Sequence, residues 1–362
     1  MGFFSKLFSS GTKSKSVIGV DIGSSSLKVV QLRRENGIAV LETYGELALG
    51  PYAGVEVGQA TNMPAAKIAE TLNDLLREAN VTTKDAGLSI PFSRSLLTLV
   101  ELPRREDPEE QKTVIELEAR KYIPVPVSEV QLDWFIIPKQ IPEGGSADRK
   151  VEVLLVAVHN DELALLEGVV QASELQASFY EIEIFSTIRS VVDEPVKPVL
   201  VVDIGASATK VYVVEHGVVA LSHNIPRGGQ DVTRAIATST GVPIGQAEVL
   251  KKKFGFAKEE GTYDARAIEL VFSRIFEETK RALNQYENTK NKKVETLVLT
   301  GGGGVTRELS TYAKTFFPLD VKIADPFGKT QSPAFMKPVL EAIGPEFAVA
   351  VGLALRKLEE ME

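Results

Sequence analysis

The sequence predicts an α/β protein of two related halves flanking a cleft, with a small α+β subdomain inserted between them. Three observations carry that prediction. The stretch Val20-Asp-Ile-Gly-Ser-Ser-Ser-Leu-Lys-Val29 returns as Val202-Asp-Ile-Gly-Ala-Ser-Ala-Thr-Lys-Val211, identical at seven of ten positions and offset by 182 residues. Each copy runs into strand, turn and strand, with Glu35-Asn36-Gly37 and Glu215-His216-Gly217 as the hairpin signals. Between the copies, from about Lys84 to Ser178, the chain turns to short strands, prolines and two helices, the pattern of an inserted subdomain.

Composition narrows the function. A chain of 362 residues can build a large core in more than one domain. Its 44% hydrophobic and 25% charged content is that of a soluble globular protein. The net charge of −8 and the lack of a basic stripe argue against nucleic-acid binding. With no cysteine, disulfides and thiolate chemistry are excluded. His159, His216 and His223 do not stand in metal-ligand spacing, which disfavours zinc. No apolar run approaches the roughly 18–20 residues needed to span a bilayer, so the chain reads as cytoplasmic.

Taken in order, residues 1–16 read as a flexible N-terminal segment. Phe3, Phe4, Leu7 and Phe8 would share one face of a short helix there, and a weak membrane or partner contact is the alternative. Residues 17–83 read as strand, hairpin, loop and helix, the helix running from Pro64 through Asn80 with Ile68, Leu72 and Leu75 inward. In the insert, strands are expected at 87–92, 95–102, 132–137 and 151–158. A helix capped by Asp107 and Pro108 runs to Tyr122, and a polar loop covers 139–149. Trp134 and Tyr122 suit either docking or half-buried packing. Residues 179–198 return to the first half, and 199–362 form the second. The latter carries a long helix from Tyr263 to Asn288 and a last helix, Pro345 to Leu358, rich in Ala and Gly.

The chemistry sits at the loops. An aspartate at a strand end can hold a hydrated cation, glycine admits a close ligand, and hydroxyls and amides donate to phosphate. One Asp-x-Gly between strands is often just a turn, but two copies facing each other would clamp a polyphosphate from both sides. Gly228-Gly229 opens a further helix. Glu248 and Lys251, one helical turn apart, are either a ribose and base contact or a surface pair. Gly301 to Gly304 follow a buried strand and let a flat ring or a phosphate lie on the backbone.

These motifs, in this order, resemble the superfamily of actin, the heat-shock chaperones and the sugar kinases. Within it, Leu102-Pro103, Glu118-Ala-Arg-Lys-Tyr-Ile-Pro124, Leu132-Asp133 and Leu154-Leu-Val-Ala157 resemble the PilM family of type IV pilus assembly proteins, relatives of FtsA. The ending Leu358-Glu-Glu-Met-Glu362 departs from FtsA, which closes on an amphipathic membrane helix. The resemblance implies an actin-like fold with an insert of the 1C type, binding ATP and Mg²⁺. On this sequence it implies that Asp21 and Asp203 hold the metal through water. Gly23, Ser24, Ser25 and Lys28 would meet phosphates from one side, and Gly205, Ser207 and Thr209 from the other. Gly229, Glu248 and Lys251 would meet ribose and base, and Gly301, Gly302 and Gly303 the adenosine. Lys210 has no counterpart and is left as packing or solvent.

The implied partner is the cytoplasmic N-terminal tail of a PilN-like inner-membrane protein, with pilus motor ATPases as further partners and membrane contact through partners only. Tyr122, Pro124 and Trp134 are the candidate groove residues. No water-orienting group can be assigned, so turnover is expected to be slow or absent, and the catalytic residue stays unknown. An FtsA-like filament and a small-molecule kinase are the alternatives.

Overall fold

The computed structural model describes residues 16–137, 150–193, 196–257, 263 and 265–361. The N-terminal Phe-rich segment and the 139–149 loop lie outside the described residues. The first half is a five-stranded sheet in the order β3-β2-β1-β4-β8. Its strands are β1 (Ser16–Ile22), β2 (Ser26–Glu35), β3 (Ile38–Ala48), β4 (Asp85–Ile90) and β8 (Gln176–Ile182). The second half repeats the plan as β11-β10-β9-β12-β13, built from β9 (Val199–Ile204), β10 (Thr209–Glu215), β11 (Val218–Ile225), β12 (Thr296–Thr300) and β13 (Asp320–Ile323). In both, the first strand is central, pairing antiparallel with its own hairpin and parallel with the strand beyond.

The repeat extends to detail. Both hairpins turn on two residues with positive φ, Asn36-Gly37 and His216-Gly217, the geometry that matches strand twist. A bulge falls between Gln31 and Leu32 in one copy and between Val213 and Val214 in the other, 182 residues on.

The third sheet, β5-β7-β6, comes from β5 (Ser95–Pro103), β6 (Val130–Ile137) and β7 (Lys150–His159). It is smaller than the expected insert of 84–178. The flanking strands β4 and β8 belong to the first sheet, because their Ala86, Leu88, Phe179 and Ile182 are buried there. The insert has its own core around Leu102, Ile115, Val130, Val153 and Leu155, capped by α2 (Pro108–Ala119). Asp107 caps that helix by accepting from Glu109 N at 2.9 Å, and it ends three residues before the expected Tyr122. The insert also touches the second half: Ser222 Oγ on β11 donates to Leu97 O (3.2 Å), and Lys290 pairs with Glu152 (2.9 Å).

Helix α10 (Ala348–Glu359) carries the chain back onto β1 and onto α4 (Glu183–Val191). Gly19 and Gly352 permit the approach: a Cβ on Gly19 would strike Ala350 O, and one on Gly352 would strike Ser186 O. Among the described residues, Ala334–Glu359 is long and apolar enough to cross a membrane, contrary to the expectation from the sequence. The apolar 18-residue window within it is 61% buried in the fold, and α10 itself is core. Its helix starts at Ala348 rather than Pro345, which sits in a 3-10 turn.

Candidate functional site

The cleft between the halves encloses about 720 Å³. Both repeated loops open into it. Gly23 N donates to Ser26 O (3.1 Å) and Gly205 N to Ala208 O (3.0 Å), the same tight turn in each copy. A Cβ on Gly23 would lie 2.8 Å from Ser26 O, so this turn requires glycine. Ser24 and Ser25 line one wall and Ser207 the other. Thr209 is not there. It is fully buried and its hydroxyl donates to Arg227 O at 2.8 Å. It aligns with Leu27, also fully buried, and that pairing of the two copies is the signal that marks position 209 as core.

Asp21 and Asp203 stand at the ends of β1 and β9, each directly opposite its lysine in the hairpin, Lys28 and Lys210. Asp21 accepts from Ser89 Oγ (3.0 Å). Burial holds its carboxyl above the usual range, a rise that Lys28 and Lys210 only partly offset. Lys28 turns to Ser26 Oγ (2.7 Å) and Glu46 (3.1 Å).

Lys210 corrects the sequence reading. Its side chain is 14% exposed and its ammonium donates to Glu183 (2.7 Å) and Asp203 (3.3 Å). Burial alone would lower the lysine, but Asp203 and Glu183 outweigh it and hold the ammonium well above the usual range.

Glu183 is the site residue the sequence did not reveal. It opens α4, lines the cleft and is 9% exposed. Its two oxygens accept from Phe92 N (2.7 Å) and from Lys210. Burial, reinforced by Asp203 and Asp21 and opposed by Lys210, raises its pKa. Its only sequence signal is an acid at a strand end, within Glu181-Ile-Glu-Ile184.

Two carboxylates, Asp203 and Glu183, thus share the Lys210 ammonium in a polar, largely buried pocket, with Asp21 beside them opposite Lys28. That all-oxygen donor set suits a hard divalent cation. Among the described residues no cluster of three or more acids or imidazoles is arranged to hold a metal directly, so the fit is to a cation held through water and phosphate.

The ribose candidates meet on α5 (Gly229–Thr240) and α6 (Ile244–Phe254). Glu248 Oε2 accepts from Thr233 Oγ1 (2.6 Å) and Lys251 Nζ (2.6 Å), and Lys251 also donates to Gly229 O (3.2 Å). With Glu248 buried and Lys251 nearly so, this is no solvated surface pair. Burial lowers the Lys251 pKa against the pull of Glu248. Gly229 N and Gln230 N bond the carbonyls of Gly205 and Ala206, tying α5 to the second phosphate loop.

The four glycines after β12 serve different ends. Gly301 has φ +79°, and a Cβ there would strike Asp203; one on Gly303 would strike Ile204. Gly302 faces open space, its nearest neighbour being Glu346 at 3.9 Å, so the backbone there is open to the cleft. Of the groove candidates, Tyr122 and Pro124 are exposed, while Trp134 packs partly buried on the insert's core.

A family model described as type IV pilus assembly protein PilM matches residues 19–358. The chain belongs to the PilM family. Among solved structures, one described as a PilM-PilN type IV pilus biogenesis complex is similar at TM-score 0.80 and 25% identity, over 94% of this chain and 98% of that one. MreB5 of Spiroplasma citri bound to AMPPNP shares the actin-like fold at TM-score 0.52 and 12% identity, over 97% of each chain. The cell division protein FtsA of Neisseria meningitidis serogroup B is 23% identical over 94% of this chain and 90% of its own length.

Proposed function

We propose that this PilM-family chain is an ATP-binding scaffold of the type IV pilus inner-membrane platform, docking the N-terminal tail of a PilN-like membrane protein. The observation that carries the reading is the convergence of both repeated loops on one cleft, in a fold similar to a PilM-PilN complex. Gly23, Ser24, Ser25 and Lys28 meet the phosphates from the first half, and Gly205 and Ser207 from the second. Asp21 and Asp203 hold water around Mg²⁺, and bound Mg²⁺ screens the phosphate charge. Glu248 and Lys251 position the ribose beside Gly229, with the adenosine on Gly302.

No group in the cleft is assigned to orient an attacking water, so turnover is taken as slow or absent and nucleotide as a conformational ligand. The insert touches both halves, so closing the cleft on nucleotide shifts the surface offered to a tail. The coupling is reciprocal: bound tail tightens ATP. Association with the membrane follows through that partner.

Calorimetry tests the first part. Magnesium-dependent ATP binding is expected, weakened about tenfold or more by Asp203→Ala, which removes a charge-assisted contact, and by Gly302→Val, which fills the open space there. Deleting 84–178 would remove β4 from the first sheet, so docking is better probed with synthetic tails of inner-membrane pilus proteins and point variants. Capture should strengthen with Mg²⁺ and ATP and weaken with Tyr122→Ala. Absence of capture in either nucleotide state would sink the docking role and leave the ATP site standing.

A further inference from the structure

One run of chain reaches across the cleft and belongs to neither repeated loop. After the 3-10 turn Gly50–Ala53, the backbone bends through Gly54 (φ +72°) and Gly58 (φ +96°) and lands on the second half. Glu56 Oε2 accepts from Gly245 N (2.6 Å), in the first turn of α6, where helix amides face an acid favourably. Ala60 N donates to Gln230 Oε1 on α5 (3.2 Å). Gly58 lies so close to the ribose candidate Glu248 that a Cβ there would sit 2.7 Å from its Oε2. The far end is anchored on the first phosphate loop, with Thr61 N (2.8 Å) and Oγ1 (3.2 Å) both donating to Ser24 O.

We infer that residues 54–61 are a strap closing the ribose side of the cleft, with Glu56 as the positioning residue that sets nucleotide residence time. The inference rests on the ATP reading above and adds a wall and a rate to it. Two features support a strap that opens. Its apolar side chains, Val55 and Val57, are 39% and 42% exposed, so little core holds it down. Its grip on the second half is polar and few-pointed, while its Ser24 anchor keeps it beside the phosphates. A ribose seated on Glu248 lies under Gly58, so it enters and leaves only when the strap lifts.

A gate changes rates together and affinity little, which separates it from a direct ligand contact. A structural role would instead show in the melting temperature. The test is release of radiolabelled ATP, bound with Mg²⁺ to the intact protein and chased with excess unlabelled ATP. Glu56→Ala should release label about three- to tenfold faster, the loss of one solvent-exposed hydrogen bond. Association should speed similarly, and the nucleotide-free melting temperature should stay put. Glu56→Gln keeps an oxygen for Gly245 N and should release near the wild-type rate. Release from Glu56→Ala within twofold of wild type overturns the strap while leaving the ATP site intact. Faster release accompanied by a lower melting temperature also overturns it, in favour of a packing role. Wild-type protein retaining no label overturns the ATP reading and the strap with it.

Discussion

The two copies of the repeat share strand order, turn, bulge and even the cross-strand pairing of Asp with Lys, yet their lysines do opposite things. Lys28 stays within its own half, on Ser26 and on Glu46, whose side chain is 34% exposed. Lys210 leaves its half and reaches Glu183 on α4 of the other, while holding Asp203. A duplicated scaffold therefore sets where the two halves present their loops, and one side chain breaks the symmetry to join them. The difference is one of side chains rather than backbone: across the hairpin Lys28 meets Glu46 on β3, whereas Lys210 meets the uncharged Asn224 on β11 and turns to Glu183 instead.

The largest test of that asymmetry replaces each lysine with methionine, which keeps most of the apolar stem. Lys210→Met leaves Asp203 and Glu183 without the cation that both bond, and breaking a buried pair in this way costs about 3–5 kcal/mol. Lys28→Met should cost less, because Glu46 can turn to water and Asp21, bonded by Ser89, can take up a proton. Urea unfolding of both variants measures the gap. Equal losses would mean that Lys210 is no more a joint between halves than its twin.

A smaller effect separates the two walls of the phosphate site. Thr209→Val removes the bond to Arg227 O and should cost about 1 kcal/mol of stability, with ATP affinity unchanged within about twofold. Ser207→Ala should weaken ATP severalfold with no change in stability, since its side chain is exposed to the cleft. Calorimetric titration beside thermal melts reads both. A Thr209 variant that loses affinity would restore that hydroxyl to the phosphate wall.

That contrast also marks what a sequence can carry. The Asp-x-Gly loops, the hairpin turns and the glycine run are local, because each demands a residue type that only a turn or a close approach explains. Asp21, Gly23, Asp203 and Gly205 were legible on that ground, and Glu248 and Lys251 only through the family resemblance; all six line one cleft. Thr209 misled because a hydroxyl after a phosphate loop reads as a donor, whereas its alternation with Lys210 along β10 turns it inward. Glu183 and the true role of Lys210 were hidden for a different reason. Their chemistry comes from a contact between residues 27 apart in sequence and in different halves, and neither carries a turn or glycine signature. The insert's lower limit was likewise set by pairing: β4 read like one of its own strands and is claimed by the first sheet.

The smallest expected effect is a pH dependence that reports the crowding of acids around Lys210. Asp21 and Glu183 both have pKa values raised in the folded protein, first by burial and then by neighbouring carboxylates. Above the raised values both are ionised in the folded and unfolded states alike, and the folded state carries the full cost of burying the charges. As pH falls into the window between the raised values and the ordinary carboxylate range, the folded protein takes up protons that the unfolded chain does not. Linkage then requires its stability to increase. Acids such as Glu181 and Glu46 act in the opposite sense. Arg189 and Arg356 outweigh burial at Glu181, and Lys28 does so at Glu46, so both lie below their usual values and lose their contribution only at lower pH. The melting temperature of nucleotide-free protein should therefore rise modestly as pH is lowered from neutral, then fall once the paired acids protonate. Glu183→Gln should flatten the rise, because an amide has no charge to bury and keeps one oxygen for Phe92 N or Lys210, though not for both. A wild-type profile that only declines from neutral pH would show that Lys210 satisfies all three carboxylates, and that the second copy is as balanced as the first.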